Sequence, residues 1–244
     1  MTNKNTIENL RELIEQEIRN LMVNHNVAGH NIDHFFAVRD HALRALKFEN
    51  LSPTKNLQVE LAAVLHDIDD TKIFPDSGDY RNAKMILDKV FDKIQYKDVI
   101  SDINYDDFKS TIIQLISLVS CSKNGDDEPP ESWMAIPRDA DRLEAIGEIG
   151  IQRCLEYTMH IKLPFYTSET PRPKSRDEVI SFATKERFDK YKSGHKSVSM
   201  IDHYYDKLLH IGKPECLCSK NKYILEEASK RTGIMIDFVF NYDY

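Results

Sequence analysis

Apolar side chains recur at intervals of three and four residues along most of the chain, which is the spacing of amphipathic helices. The clearest stripes lie in residues 7–21, 57–65, 108–119, 143–154 and 221–240. No segment alternates apolar and polar residues as a half-buried strand would. Only eight glycines and nine prolines occur in 244 residues, so long helices can run without interruption. The sequence therefore predicts an all-α fold, a single helical-bundle domain over residues 1–244 with eight to ten helices.

The net charge of the chain limits the kinds of molecule that it is expected to bind. Forty acidic and 33 basic side chains give a formal net charge of -7, which disfavours a nucleic-acid polymer, because its phosphates require a basic surface. A small anionic substrate is compatible, since a metal ion can reverse the local charge. No apolar segment is long enough to cross a membrane, and residues 1–10 lack the apolar region of a signal peptide. We expect a cytoplasmic protein without a membrane partner, and a homodimer is compatible with these features.

The four cysteines do not follow a zinc-finger pattern. Only Cys216 and Cys218 are close in sequence, and this single C-x-C pair lacks the second pair of a sequence-defined zinc site. We therefore interpret these two, together with Cys121 and Cys154, as thiols of a reducing compartment rather than as metal ligands.

The sequence GHNIDH (29–34) contains the first candidate ligands. His30 and His34 are four residues apart, so a helix would place both imidazoles on one face. If the helix begins at Gly29 or Asn31, His30 falls in the preceding turn instead. The spacing alone does not separate a metal-binding pair from two solvent-facing histidines.

In LAAVLHDIDD (61–70), an apolar helix face runs directly into one histidine and three acids. His66 and Asp67 are about 100° apart on a helix, near enough to share an ion, and Asp70 faces the same space. Acids at a helix C-terminus are ordinarily unfavourable, because the helix dipole has its negative end there. A bound cation would offset this repulsion, and a solvated acidic helix end is the alternative.

The third cluster is PRDADRLEAIGEIG (137–150), whose proline suits the first turn of a helix. Asp139 and Asp141 point in different directions on a helix because they are two residues apart. Only one of them is expected to reach a metal ion, and an ordinary capped helix start is the alternative. Arg142 would pair with acids near Glu144 or contact a phosphate.

Two imidazoles and two carboxylates from these clusters form a mixed ligand set, which suits one divalent ion among Mn, Mg, Co, Fe, Ni and Zn. Such an ion acidifies a bound water and polarises a phosphoryl group. Asp70 is then the candidate base for the water, and Lys72 is a candidate cation for the phosphate. Lys207, on a later amphipathic segment, is a further candidate phosphate contact.

The sequence also predicts roles for two residues outside these clusters, His41 and Asp79. His41 follows His34 by seven residues, which is about 10 Å along a helix, so we interpret it as a surface or supporting residue rather than as a fifth ligand. Asp79 is a candidate N-cap for the helix that contains Ala83 and Ile86.

The order of these clusters resembles the H…HD…D signature of the HD superfamily of metal-dependent phosphohydrolases, and most closely its YpgQ/YedJ-like subgroup. The resemblance extends from about residue 25 over the rest of the chain. The matching positions are His30, His34, 65–67, Asp70, Lys72, 139–143, 145–153, 203–211 and 232–242. Two positions depart from the subgroup: Ala37 stands where arginine is frequent, and Glu144 where aspartate is frequent.

The resemblance implies a role for each matched residue and an activity for the chain. The implied metal ligands are His34, His66, Asp67 and Asp141, and the implied catalytic residues are Asp70 and Lys72. We additionally assign His30, Arg142 and Lys207 to substrate binding. Some members of the subgroup hydrolyse nucleoside triphosphates to a monophosphate and pyrophosphate, so the resemblance implies this reaction, with a small-molecule nucleotide as the substrate.

Three other functions remain open at this stage. A nucleotide phosphomonoesterase and a phosphodiesterase use the same ligand set and differ only in their products. A non-catalytic nucleotide-binding module would keep the fold and lose turnover, but no ligand is missing from this sequence. A di-iron oxygenase needs more histidine and aspartate ligands than the three clusters supply.

Overall fold

The computed structural model describes residues 4–23 and 32–243, and fourteen α-helices account for most of this part of the chain. Ten of them have seven residues or more, and four are single turns. In chain order they are α1 (Lys4–Met22), α2 (Ile32–Leu46), α3 (Pro53–Leu65), α4 (Arg81–Lys93), α5 (Tyr96–Val99), α6 (Tyr105–Val119), α7 (Cys121–Asn124), α8 (Ile136–Glu144), α9 (Gly147–His160), α10 (Arg176–Phe182), α11 (Lys185–Lys192), α12 (Met200–His203), α13 (Leu209–Ile211) and α14 (Lys222–Phe240). Short 3₁₀ turns lie at Ser132–Ala135 and Pro214–Cys216. Residues 4–23 and 32–243 contain no strand, and the predicted all-α fold is confirmed.

Side-chain caps define where several helices begin. Ser52 precedes α3, Asn104 precedes α6 and Asn221 precedes α14, and each accepts a hydrogen bond from backbone N–H groups of the following first turn. These N–H groups have no partner within the helix, so each cap stabilises its helix start by about 1 kcal/mol. Pro137 lies in the first turn of α8, as the sequence predicts.

Helices α2, α3, α6 and α8 pack against one another and form the centre of the bundle. Their facing side chains are apolar and almost fully buried, as at Phe35 and Val38 of α2, Leu61 and Leu65 of α3, and Ala140 of α8. Burying one large side chain of this kind contributes about 1.5–3 kcal/mol. Because α2 packs on both α3 and α8, the polar side chains that these three helices carry are held in a fixed relation.

Asp69, in the connection between α3 and α4, caps the N-terminus of α4. Its carboxylate accepts hydrogen bonds from two backbone N–H groups in the first turn of α4, at 2.7 and 2.9 Å. The prediction that Asp79 caps this helix is wrong, because Asp79 pairs with Lys84 at 2.6 Å instead. The cap comes from an acid that lies well before the helix in sequence and is brought to it by the turn that follows α3.

The helix that runs from residue 200 to residue 211 changes type along its course. Between α12 and α13 it forms a π-helical turn, Tyr204–Leu208, in which the N–H of Leu209 donates to the carbonyl of Tyr204, five residues earlier. A π turn changes the direction in which the following side chains point, and such turns are frequent at functional sites. Lys207 lies within this turn.

Among the helices of the described residues, none combines the length and the apolar character that crossing a membrane requires.

Candidate metal centre

Three helices bring two imidazoles and two carboxylates together. His34 lies in the first turn of α2, His66 and Asp67 directly follow α3, and Asp141 lies on α8. The two histidine Nε2 atoms are 3.2 Å apart. Asp141 Oδ1 lies 3.2 Å from Nε2 of His34 and 3.6 Å from Nε2 of His66, and Asp67 Oδ2 lies 3.6 and 3.3 Å from the same two atoms. The structure thus places all four sequence-predicted ligands in one cluster.

The backbone of α3 fixes the orientation of His66. Its Nδ1 lies 2.9 Å from the carbonyl oxygen of Ala63, which only accepts hydrogen bonds, so Nδ1 carries a proton and donates it. With Nδ1 protonated, the ring directs Nε2 at His34, Asp67 and Asp141. A backbone carbonyl that orients a histidine in this way is a recurrent feature of metal sites.

The cluster stabilises positive charge at the point where the four side chains meet. Burial alone lowers the pKa of His66, but contacts with Asp67 and Asp141 outweigh it and raise this pKa well above its ordinary value. Burial raises the pKa of Asp141, but its hydrogen bonds with both histidines outweigh that effect and lower it. Burial lowers the pKa of His34, which favours its neutral form.

The donor atoms fit a first-row divalent ion. Nitrogen and oxygen ligands lie about 2.0–2.2 Å from such an ion, which puts neighbouring ligand atoms about 2.8–3.6 Å apart, and the five separations measured in the cluster are 3.2–3.6 Å. The Nε2 atoms of His34 and His66 face each other at 3.2 Å, and without an ion one of them must carry a proton to form a hydrogen bond. A metal ion bound by both nitrogens would take the place of that proton. The donor set of two imidazoles and two carboxylates suits Mn, Fe, Co, Ni or Zn.

A cavity of about 400 Å³ opens over the cluster. His34, His66, Asp67 and Asp141 all line it, so an ion held by them would be in contact with whatever enters. The volume lies within the range of small-molecule sites, about 300–1,000 Å³.

Four cationic side chains line the same cavity, namely Lys72, Lys123, Arg153 and Lys207. They come from four separate parts of the chain, and four carboxylates line the same cavity: Asp67, Asp69, Asp70 and Asp141. A divalent ion held by the carboxylates would give the cavity a positive balance of charge, which attracts an anionic ligand.

The predicted catalytic residues Asp70 and Lys72 also line the cavity. Oδ1 of Asp70 accepts a hydrogen bond from the backbone N–H of Lys72 at 2.8 Å, which sets the turn after Asp67. Asp69, from the same acidic run, lines the cavity as well, but its carboxylate oxygens accept hydrogen bonds from the first turn of α4. Lys207 lies in the π-helical turn, and its ammonium group is 5.6 Å from the ring centre of Tyr191. His30 lies outside the described residues.

Arg142 is a correction to the sequence prediction. Its guanidinium is buried and donates to the backbone carbonyls of Cys216 and Gly125, at 2.6 and 2.5 Å, and to the carboxylate of Asp126 at 3.2 Å. The arginine that lines the cavity is Arg153 of α9. Arg142 follows Asp141 directly, so the helix turns its side chain by about 100° away from that of Asp141.

The structure also separates Asp139 from Asp141. Asp139 is fully buried, accepts a hydrogen bond from the backbone N–H of Ser219 at 2.8 Å, and does not line the cavity. Burial raises the pKa of its carboxyl group. The two-residue spacing predicted that only one carboxylate would face the site, and that residue is Asp141.

Arg153 was not assigned a role from the sequence. It donates to the carbonyl of Glu144 at 3.0 Å and lies 3.3 Å from Nδ1 of His34, so it contacts the ligand ring on the side away from Asp141. The only signal for it was its place at the end of the AIGEIGIQR motif. Lys123 and Tyr191 carried no signal, because tertiary folding alone brings α7 and α11 to the cavity.

His41 supports the centre and does not belong to it. It is buried, with Nδ1 2.6 Å from the hydroxyl of Tyr223 and Nε2 2.9 Å from Oε1 of Glu144. Arg231 reaches the same carboxylate at 3.0 Å. The network joins α2, α8 and α14, which confirms a supporting role for His41 and excludes the surface alternative.

The chain is closely related to one viral protein. It is 65% identical over 235 residues to uncharacterized protein L803 of Acanthamoeba polyphaga mimivirus, and the match covers 96% of this chain and 97% of that protein. No protein-family model matches the sequence.

Several bacterial proteins of known structure have the same fold. A protein of Lactobacillus plantarum is 25% identical, with a TM-score of 0.59, over 98% of this chain and 95% of its own. Bacillus subtilis YpgQ, solved in complex with ADP, is 20% identical, with a TM-score of 0.60, over 98% and 94%. An HD-superfamily hydrolase of Bacillus thuringiensis is 19% identical, with a TM-score of 0.60, over 96% and 94%.

The resemblance drawn from the sequence is thereby confirmed at the level of the fold. The chain belongs to the same family as mimivirus L803, and it has the HD-superfamily fold in the form seen in YpgQ.

Proposed function

We propose that this protein is a metal-dependent phosphohydrolase that acts on a nucleotide, and that its reaction is hydrolysis of a nucleoside triphosphate to a monophosphate and pyrophosphate. The observation that carries the proposal is the pairing of a two-imidazole, two-carboxylate cluster with four cationic side chains in one cavity of about 400 Å³. An ion bound by carboxylates, together with surrounding cations, suits a phosphate chain, because negative charge develops on the leaving-group oxygen as a phosphoryl group is transferred.

His34, His66, Asp67 and Asp141 would hold the ion. When bound, it would polarise a phosphoryl oxygen and lower the pKa of a water. Asp70 is the proposed base for that water. Its Oδ1 is engaged by the N–H of Lys72, so Oδ2 is the atom that we assign to the proton.

Lys72, Lys123, Arg153 and Lys207 are the proposed phosphate contacts. Ligation through Nε2 requires that His34 carry its proton on Nδ1, the atom that now faces Arg153 at 3.3 Å. Two donors cannot share that contact, so we infer that Arg153 is the side chain that shifts when an ion binds. A guanidinium can bind a phosphate through two hydrogen bonds, which is the role we assign to Arg153 after this shift.

A nucleotide is proposed as the substrate class for two reasons. Bacillus subtilis YpgQ, which shares the fold, was solved in complex with ADP. Tyr191 lines the cavity beside Lys207, so an aromatic ring and an ammonium group lie next to each other there. A tyrosine ring can stack on a base while the lysine contacts a phosphate.

The test is a panel of nucleoside mono-, di- and triphosphates and cyclic nucleotides, each incubated with Mn²⁺, Mg²⁺, Co²⁺, Ni²⁺, Fe²⁺ or Zn²⁺ and separated by ion-exchange chromatography. We expect a monophosphate and pyrophosphate from triphosphates. Free phosphate from monophosphates would replace the proposal with a phosphomonoesterase, and opening of a cyclic nucleotide would replace it with a phosphodiesterase. A rise in melting temperature with nucleotide, but no product with any metal, would show a binding module and overturn the enzymatic proposal.

A further inference from the structure

A second group of metal-binding side chains lies apart from the His34 centre. Asp126 follows α7, His210 lies on α13, and Cys216 ends the 3₁₀ turn Pro214–Cys216. Nε2 of His210 is 2.7 Å from Oδ2 of Asp126 and 3.4 Å from Sγ of Cys216, and one potential ligand atom from each residue lies within 4.8 Å of the others. Two segments that are far apart in sequence, one with Asp126 and the other with His210 and Cys216, thus converge on one point.

The surroundings hold these three side chains in place. The ring of His210 stacks on Phe188, with centroids 4.1 Å apart and planes at 16°, and both His210 and Cys216 are 4% exposed. Arg142 donates to the carbonyl of Cys216 and to the carbonyl and carboxylate of the adjoining residues 125 and 126. The buried guanidinium of Arg142 therefore links the segment that contains Asp126 to the segment that contains Cys216.

Hydrogen bonding alone leaves the contact between His210 and Cys216 unexplained. Nε2 can carry one proton, and the shorter contact assigns that proton to the carboxylate of Asp126. Because the N–H of His210 then points at Asp126, it does not account for the sulfur of Cys216, which lies 3.4 Å from the same nitrogen. An ion bound by Nε2 of His210, Oδ2 of Asp126 and Sγ of Cys216 would account for the closeness of all three atoms.

The charges of the cluster leave room for such a cation. The carboxylates of Asp126 and Asp139 balance the guanidiniums of Arg138 and Arg142, which lie beside them. A divalent ion adds two positive charges, and two thiolates cancel them. A second thiol lies nearby. Cys218 is buried, with Sγ 3.5 Å from the carbonyl oxygen of Asp126, and it would reach the ion by a change of side-chain rotamer, since it lies outside the group of ligand atoms within 4.8 Å of one another.

We propose that Asp126, His210 and Cys216 form a structural zinc site, with Cys218 as the fourth ligand. Carboxylate, imidazole and thiolate donors together favour zinc over magnesium or manganese. The single C-x-C pair is uninformative in the sequence alone. The fold supplies its missing partners, because Asp126 lies 90 residues before Cys216 and His210 lies six residues before it.

The site would stabilise both walls of the cavity over the His34 centre. Lys123 precedes Asp126 by three residues, and Lys207 precedes His210 by three residues, and both lysines line that cavity. A zinc ion that binds Asp126 and His210 therefore links the segments that carry the two lysines. This consequence rests on the proposed function, whereas the zinc site itself does not.

Cobalt substitution distinguishes the two centres. Co²⁺ bound by thiolates gives an intense sulfur-to-metal charge-transfer band in the near ultraviolet, and the His34 centre contains only nitrogen and oxygen donors. We expect the protein, purified metal-free under reducing conditions and titrated with Co²⁺, to develop this band, and Zn²⁺ to remove it by displacement. Absence of the band in the wild-type protein would overturn the zinc site, whether or not any nucleotide is hydrolysed.

The variants Cys216→Ser and His210→Gln assign the band to these residues. We expect each to lose the band and about one equivalent of zinc by mass spectrometry, while Cys154→Ser, a substitution on α9, keeps both. A helical circular-dichroism spectrum confirms that each variant is folded. If a folded Cys216→Ser variant keeps the band and its full zinc content, the proposal is wrong, and the wild-type titration remains decisive if that variant fails to fold.

Discussion

Asp67 and Asp70 lie three residues apart after α3, but the proposed function assigns them different roles, Asp67 as a metal ligand and Asp70 as the general base. Asp67 Oδ2 lies within 3.6 Å of both histidine Nε2 atoms, whereas Asp70 lines the cavity with one oxygen engaged by the N–H of Lys72. We expect Asp67→Ala to abolish hydrolysis and to lower the metal content, because the ion loses a charged ligand. We expect Asp70→Asn to keep the metal and to lower kcat by about 10²–10⁴-fold, the usual contribution of a general base.

Metal analysis beside steady-state kinetics separates these two roles. Asp70→Asn is the matched control for Asp67→Ala, because it removes a charge from the same turn and preserves shape. Equal loss of metal in both variants would show that the division between ligand and base is wrong.

Arg142 and Arg153 differ in what they contact, although both lie close to the centre in sequence. Arg142 is buried against backbone carbonyls and Asp126. Arg142→Ala leaves the carbonyl oxygens of Cys216 and Gly125 without their charged donor and should destabilise the protein by about 2–4 kcal/mol. Arg153 lines the cavity, and losing one charge-assisted hydrogen bond of about 1.5–3 kcal/mol to a phosphate should lower kcat/KM by about 10–100-fold.

Urea denaturation and kinetics on both variants check this assignment. We expect Arg153→Ala to retain most of its unfolding free energy and Arg142→Ala to lose much of it. A reversal of the two results would restore Arg142 as a substrate contact, as the sequence had suggested.

At the scale of single residues, the sequence predicted the four side chains that the structure brings together, but not their surroundings. His66 and Asp67 were predictable because an apolar helix face leads directly into them. Asp141 was separable from Asp139 only by direction, which a two-residue spacing does not specify. The pairing of Asp126 with His210 was not predictable, because 84 positions separate them and no local pattern links them.

Among the elements, α4 shows how a local rule can select the wrong residue. Asp79 stands close to the start of α4, where caps normally lie, but the first-turn N–H groups are satisfied by Asp69. We expect Asp69→Ala to lower the free energy of unfolding by about 1–2 kcal/mol, the magnitude of a lost N-cap. Its metal content should be unchanged, because Asp69 is not one of the four ligands.

Asp79→Asn is the control for that substitution. Asp79 has a positive φ of 54°, a conformation that asparagine also tolerates, so this variant tests the carboxylate without backbone strain. We expect a change within about 0.5 kcal/mol, as for an exposed ion pair. Thermal or urea unfolding of the two variants would contradict the capping assignment if Asp79→Asn were the more damaging substitution.

The elements themselves were largely predictable from periodicity, and the helix types were not. The apolar stripes at 57–65, 108–119 and 221–240 correspond to α3, α6 and α14. The π-helical turn Tyr204–Leu208 has the same apolar content as an α-helix, so hydrophobic spacing cannot reveal it. Its formation depends on packing against α11, α13 and α10, which is a property of the assembled fold.

Across the whole molecule, the network of His41, Glu144 and Arg231 joins α2, α8 and α14 and should make stability depend on pH. Burial raises the pKa of Glu144, but hydrogen bonds from His41 and Arg231 outweigh it and lower the pKa to about 2, from an ordinary value of 4.5. A lowered carboxyl pKa contributes stability above the unfolded value, and this contribution is lost as the pH falls towards the folded value. We expect this part of the stability to disappear between about pH 4.5 and about pH 2.

Urea midpoints measured across that pH range test the network. We expect Glu144→Gln to be less stable than the wild type at pH 7 and to show a smaller decline between pH 4.5 and pH 2. If the wild type and Glu144→Gln lose the same free energy of unfolding as the pH falls, other carboxylates cause the loss, and the prediction for Glu144 is wrong.

The His34 centre joins α2, α3 and α8 across the middle of the bundle, so an ion bound there should stabilise the whole fold. An ion that binds only the folded state adds about 2.7 kcal/mol when its free concentration is 100 times its Kd, and about 1.4 kcal/mol more for each further tenfold increase. Mn²⁺ is the suitable probe, because nitrogen and oxygen donors suit it while the thiols at Cys216 and Cys218 favour softer ions. We expect the wild-type Tm, lowered by a chelator, to rise steadily with added Mn²⁺, and the Tm of Asp67→Ala to rise far less. If both proteins gain the same Tm, manganese binds elsewhere, and the centre formed by His34, His66, Asp67 and Asp141 is not what links metal binding to folding.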